Sequence, residues 1–239
     1  MHFSTLFTFG LATYIAAASP TNLQRRKKIG HDEVVGFQEK VPSSVEGYLM
    51  MKYKPYLKVY NGCVPFPAVN AAGDYSGGVK PTGHSSGGCS GNKGQVYARS
   101  GSGKDGAWGI MYSWYFPKDS PSSGAGHRHD WEEIVVWLES KSTSAKVRGV
   151  AFSGHGDYEK HKDPPFKGSR PQVGYNSQWP INHTLMETSE VGGEQPLVAW
   201  DSMTEAARYA LSNEDFGAAS VKFIDRDGTF KKKLEESFI

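Results

Sequence analysis

Six ionisable side chains crowd into the seven residues 127–133: His127, Arg128, His129, Asp130, Glu132 and Glu133, with Trp131 among them. The apolar run Ile134-Val135-Val136-Trp137-Leu138 follows at once. Asp119 stands upstream, across the Ser- and Gly-rich residues 120–126. Charges at the mouth of a strand are common, but this density beside two histidines is not. The plain alternative is a solvated loop with surface ion pairs. Strand side chains alternate between two faces. If pairing begins near His129, Asp130 and Glu132 share a face with Ile134, Val136 and Leu138. His129, Trp131 and Glu133 then share the other with Val135 and Trp137. The 120–126 loop can bring Asp119 back beside Asp130 and aim His127 freely.

Two site geometries follow. In the first, Asp119, Asp130, Glu132 and His127 converge. Several carboxylates without thiolates suit a hard divalent cation, Mg²⁺ or Ca²⁺. His127 then serves behind the ligands or against a bound molecule, since so hard an ion takes oxygen. In the second, His127, His129 and Glu133 form H-x-H-x-x-x-E on one strand face. This resembles the first cupin motif and would hold Mn, Fe or Zn. The cupin glycines are missing, and no good second motif occurs.

These residues need a scaffold, and composition bounds it. The chain has 239 residues, 38% hydrophobic and 13% aromatic, too apolar for a disordered chain. Its 28 Gly and 13 Pro carry no collagen period and suggest short strands between turns. The net charge of +2 gives no field for nucleic acid. Strand-like runs fall at 94–99, 107–116, 131–138, 145–152, 197–200 and 220–223. Helix patterns cover 204–211, capped by Asp201 or Ser202, and 229–238, with a third near 32–37. Strands outnumber helices, so a single mainly β domain, a β-sandwich covered by a few helices, is expected.

Residues 3–18 are uncharged and largely apolar and end in Ala16-Ala17-Ala18 before Ser19, as signal peptidase requires. A signal peptide at 1–18 and secretion are therefore expected. The run is shorter than the ~20 residues of a bilayer span. Arg25-Arg26-Lys27-Lys28 reads either as a dibasic processing site or as a basic patch on a disordered terminus. Residues 19–30 are accordingly a candidate propeptide or disordered segment, and 31–239 the domain. In an oxidising compartment the two cysteines, Cys63 and Cys89, read as one disulfide closing a Gly-, Pro- and Ser-rich loop. Two free thiols or a metal pair is the alternative.

Residues 126–132, Gly-His-Arg-His-Asp-Trp-Glu, match in full the signature heptapeptide of the necrosis- and ethylene-inducing peptide-like proteins. Residues 110–119, Ile-Met-Tyr-Ser-Trp-Tyr-Phe-Pro-Lys-Asp, resemble that family's second block. Gly109 stands where the family usually has Ala. The resemblance runs from about residue 31 to 238 and covers the single cysteine pair. These proteins are secreted cytolysins of plant-associated fungi, oomycetes and bacteria. The resemblance implies a β-sandwich flanked by helices, similar to actinoporins and fungal lectins, with a divalent cation (Mg or Ca) at one pole. It implies as target the sugar head group of glycosylinositol phosphorylceramides in plant plasma membranes. It matches Asp119 and Asp130 to cation-binding carboxylates, and His127 and Glu132 to polar residues around the ion. Trp179 matches a membrane-approaching loop residue and His183 a cavity histidine.

Read for itself, Trp179 lies between Gln178 and Pro180 on a loop, where an exposed indole suits a bilayer interface. Folding back onto the sandwich is its alternative. His155, in a Gly-His-Gly turn, is placed with the same cavity. Asn182-His183-Thr184 is a glycosylation sequon, expected to be vacant beside an active cavity. Arg128 and His129 are expected to fix the loop by hydrogen bonds. The whole indicates a secreted, cation-dependent, monomeric cytolysin, not an enzyme, that also elicits plant immunity through a receptor for residues 109–132. The competing functions are a non-toxic elicitor, a lectin without lytic action, and a cupin-like metal enzyme.

Overall fold

The computed structural model describes residues 26–154, 156–177 and 183–239. In chain order the strands are β1 (Lys28–Ile29), β2 (Tyr56–Val59), β3 (Tyr75–Ser76), β4 (Val96–Ser102), β5 (Trp108–Asp119) and β6 (His127–Leu138). They continue with β7 (Val147–Gly154), β8 (Asp157–His161), β9 (Phe166–Lys167), β10 (Arg170–Asn176), β11 (Thr184–Glu187) and β12 (Leu197–Ala199). The helices are α1 (Val45–Lys52), α2 (Glu205–Asn213) and α3 (Thr229–Glu236).

A six-stranded sheet runs β12-β4-β5-β6-β7-β8, and a second sheet runs β11-β10-β2 with β9 on β10. The long aromatic and β-branched strands β5 and β6 take the centre of the large sheet, where both faces are covered. Ile110 to Phe116 and Ile134 to Leu138 are all fully buried. The two sheets meet where Phe116 of β5 stacks on Tyr175 of β10, ring centroids 3.8 Å apart. The expected β-sandwich is therefore present, with the core between and beside its sheets.

β5 and β6 pair in one register from Trp108↔Leu138 to Phe116↔Asp130. A bulge follows, where Lys118 faces both Arg128 and His129, and His129 takes a φ of +62°. This extra residue kinks the strand just before the charged segment, a common device for re-aiming side chains. Pairing thus extends to Asp119↔His127, beyond the expected start near His129.

Several local expectations are corrected. Residues 220–223 form no strand. Val221 and Phe223 are buried, but Phe223 packs flat on Tyr97, centroids 5.5 Å apart, and its carbonyl accepts from Arg99. Apolar alternation there is satisfied by lying on a sheet, not by joining one. Residues 32–37 form no helix but a turn followed by irregular chain, whose Phe37 amide donates to Gln95 Oε1 at 2.7 Å instead of to a helical carbonyl. Helix α2 is capped by Thr204, whose hydroxyl accepts from Ala207 N at 3.2 Å, while Asp201 and Ser202 sit in a single 3-10 turn. Helix α1, capped by Ser44, was not legible, since Gly47 interrupts its pattern. Its Leu49 and Met50 are buried in the core.

Cys63 and Cys89 are bonded, with Cα atoms 4.9 Å apart. The basic tract joins the domain: β1 pairs with β3, and the Arg26 guanidinium lies 3.7 Å over the Tyr209 ring. The signal segment, His155, Trp179 and Asn182 lie outside the described residues.

Candidate functional site

The site forms at the end of β5 and β6. Gly126 makes the return to β6 possible: its φ is +90°, and a Cβ there would lie 2.2 Å from the Asp119 carbonyl oxygen. Only glycine fits so close an approach in that conformation. Asp119 is thereby held at the pole, 1% exposed. His183, entering β11, donates its Nδ1–H to Asp119 Oδ1 at 2.6 Å, and its backbone amide lies 3.4 Å from the same oxygen. His127 Nε2 lies 3.8 Å from Asp119 Oδ2, and His127 Nδ1 is fixed 2.7 Å from the His129 carbonyl. His127 is therefore oriented, not free.

Asp130 and Glu132 share the cavity side of β6, as alternation required. Tyr175 donates to Asp130 Oδ2 at 2.8 Å, and Tyr175 itself stacks between Phe116 and His183. Ser153 donates to Glu132, and its carbonyl accepts from Thr184 at 3.0 Å. Tyr175 and Ser153 were missed in the sequence. Each sits on a strand of ordinary pattern, and nothing in the spacing linked it to β6.

The electrostatics follow from burial. Loss of water, then the Asp119 carboxylate, push the Asp130 carboxyl up to about 6 against Tyr175's hydrogen bond. Burial, then Asp130, raise Glu132 well above the usual carboxylate range. Among the described residues, Asp119 and Asp130 make no ion pair with Lys or Arg.

Glu133, His129 and Arg128 have hydrogen-bond partners of their own. Tyr158 donates to Glu133 Oε1 at 2.6 Å, and burial pushes the Glu133 carboxyl up to about 7. His129 Nδ1 lies 2.6 Å from the Tyr115 hydroxyl, which donates to Ser76. Burial, then Lys28 and Arg128, hold His129 down to about 4, so it is neutral. Arg128 donates to the carbonyls of Gly77 and Gly78 at 2.7 and 3.0 Å. Both residues fix the loop as expected. The H-x-H-x-x-x-E triad is not assembled, because His129 and Glu133 are bound to different tyrosines.

The necrosis-inducing protein (NPP1) family model matches residues 48–237. The chain belongs to that family. It is 47% identical to NLP effector protein 10 of Phytophthora capsici, over 95% of this chain and 98% of that one. The solved structure of NLPPya in complex with mannosamine is 43% identical, with a TM-score of 0.83, over 88% of this chain and 99% of that one. The crystal structure of the non-toxic HaNLP3 protein is 39% identical, with a TM-score of 0.81, over 87% and 99%. The family is thus one of necrosis-inducing effectors and includes a non-toxic member.

A divalent cation, which the resemblance implies, can be tested against these side chains. Among the described residues, no three His, Cys, Asp or Glu side chains close on one point as a ready metal cage. The oxygen donors at hand are the two buried carboxyls of Asp119 and Asp130, with His127 and His183 against Asp119 and, among the described residues, no Lys or Arg paired to either. Oxygen donors fit a hard ion that keeps much of its water shell. No thiolate is present for a thiophilic metal, since both cysteines are in the disulfide.

Proposed function

We propose that this protein is a secreted, cation-dependent cytolytic toxin directed at plant plasma membranes. The observation that carries this reading is the buried Asp119 and Asp130 carboxyls at one pole of the sandwich, paired among the described residues with no Lys or Arg. A bound Mg²⁺ or Ca²⁺ would supply a Lewis-acid contact for sugar hydroxyls. His127 and His183 orient Asp119, and Glu132 shapes the polar wall. The ligand is the sugar head group of glycosylinositol phosphorylceramide; the amino sugar bound by the NLPPya relative supports a carbohydrate. Trp179 then enters the head-group layer. Among the described residues, no helix is long and apolar enough to cross a membrane, which favours damage by shallow insertion and clustering.

Leakage of vesicles containing plant sphingolipid, with and without chelator, is the test. Leakage abolished by chelator and restored by cation is expected. Binding without leakage indicates a lectin. Neither binding nor leakage indicates the metal enzyme or the non-toxic elicitor, and HaNLP3 is a non-toxic relative. Residues 110–116 are fully buried. A plant receptor for residues 109–132 would therefore meet them only after proteolysis.

A further inference from the structure

Strands β6 and β7 pair only from Ile134↔Phe152 to Leu138↔Val147 and part before Glu133. A cavity of about 150 Å³ opens at this gap. His127 and Asp130 line one end of it, so it reaches the carboxylate pole. Its other wall holds Trp131, Glu133, Tyr158, Lys222 and Lys233.

Two polar atoms in this wall have no hydrogen-bond partner among the described residues: Trp131 Nε1, a donor, and Glu133 Oε2, an acceptor. Their residues are 5% and 2% exposed. An unmet buried polar atom costs about 1–3 kcal/mol, so each favours a ligand atom of complementary kind. The surrounding charges narrow that ligand. Lys222 donates to Ser220 and makes no ion pair among the described residues, whereas Lys233 pairs with Glu236 at 2.6 Å. A metal ion or simple amine would meet both ammonium groups. A phosphodiester has no donor hydrogen for Glu133 Oε2 and would put its charge beside three buried acidic side chains, Asp130, Glu132 and Glu133. A hydroxylated ring donates and accepts through each hydroxyl and meets both unmatched atoms. Trp131 and Tyr158 add aromatic surface for its C–H faces. A cavity of this size holds about one six-membered ring.

We propose that this cavity is a second carbohydrate subsite, which takes one pyranose ring of an oligosaccharide whose neighbouring ring lies at the Asp119–Asp130 pole. It rests on the head-group reading above and extends it, making the preferred ligand an oligosaccharide and not a single sugar.

The test compares two probes on the full-length secreted protein with saturating Mg²⁺: free mannosamine, and the oligosaccharide head group released from plant glycosylinositol phosphorylceramide. Wild type should bind the oligosaccharide about tenfold or more tightly than mannosamine, as one or two extra hydrogen bonds supply. Lys222→Ala, on a partly exposed residue, and the near-isosteric Glu133→Gln should each erase most of that preference. Mannosamine and Mg²⁺ affinities should stay within about twofold. Equal preference in wild type and both variants would overturn the subsite while leaving the head-group reading intact. Failure of wild type to bind either probe would overturn both.

Discussion

Asp130 has the clearest consequences of any single residue. Its carboxyl is raised to about 6, by burial first and Asp119 second. A group whose folded pKa exceeds its unfolded value stabilises fully only below the unfolded value. That contribution is lost as pH rises through about 6. Without cation, Asp130→Asn should therefore unfold at higher temperature than wild type at pH 8, by up to roughly 3 kcal/mol, with no such gain at pH 4. The same variant should lose cation affinity and leaf necrosis, because a neutral amide cannot replace a charged ligand of a hard ion. Thermal unfolding at both pH values, with and without Mg²⁺, reads all of this. Glu133, raised to about 7 on the other face, supplies the contrast. Glu133→Gln should also stabilise at pH 8 yet bind Mg²⁺ normally. Loss of the ion in Glu133→Gln or His129→Ala, with normal binding in Asp130→Asn, would restore the cupin-like geometry.

The decisive element is the β5–β6 hairpin with the segments tied to it. Its bulge at Lys118 buries an ammonium, whose Nζ donates to the His84 carbonyl at 2.9 Å and so hooks the disulfide loop onto the site. Gly126→Ala places a Cβ against the Asp119 carbonyl in a conformation that L residues avoid. It should lower stability by at least about 1 kcal/mol and weaken Mg²⁺ binding by displacing Asp119, as calorimetry would report. Removing the disulfide by Cys63→Ser with Cys89→Ser acts through the unfolded chain as well. It should cost about 3 kcal/mol for a loop of this length, measured by denaturant unfolding. Intact mass of the native protein should show no alkylatable thiol.

At the scale of the whole molecule, binding and lysis are expected to separate. The carboxylates sit at the pole, while Trp179 belongs to the connection between β10 and β11. Trp179→Ala should keep Mg²⁺ binding and much of the head-group affinity yet lose vesicle leakage. Blue-shifted tryptophan emission only with target lipid would accompany leakage in wild type. Full leakage by Trp179→Ala would remove that residue from the mechanism.

The hydrophobic alternation of 107–116 and 131–138 determined by itself that two long strands would fill the centre of a sheet. It also divided Asp130 and Glu132 from Trp131 and Glu133, because a strand's period of two is a local property. The cysteine pair was equally legible. The heptapeptide marked the family, and the helical pattern over 229–238 marked α3. Only tertiary structure decided which partners those residues would have. Tyr175, Ser153 and His183 reach the site from positions 45, 21 and 64 residues away from their partners, and their contacts depend on how strands pair and sheets stack. The bulge that turns His129 toward Tyr115 depends on pairing with a neighbouring strand, as does the gap between β6 and β7. Residues 220–223 show the same limit from the other side. Their apolar alternation recorded burial faithfully, but whether a buried apolar run joins a sheet or lies upon one depends on which backbone groups its neighbours leave unpaired.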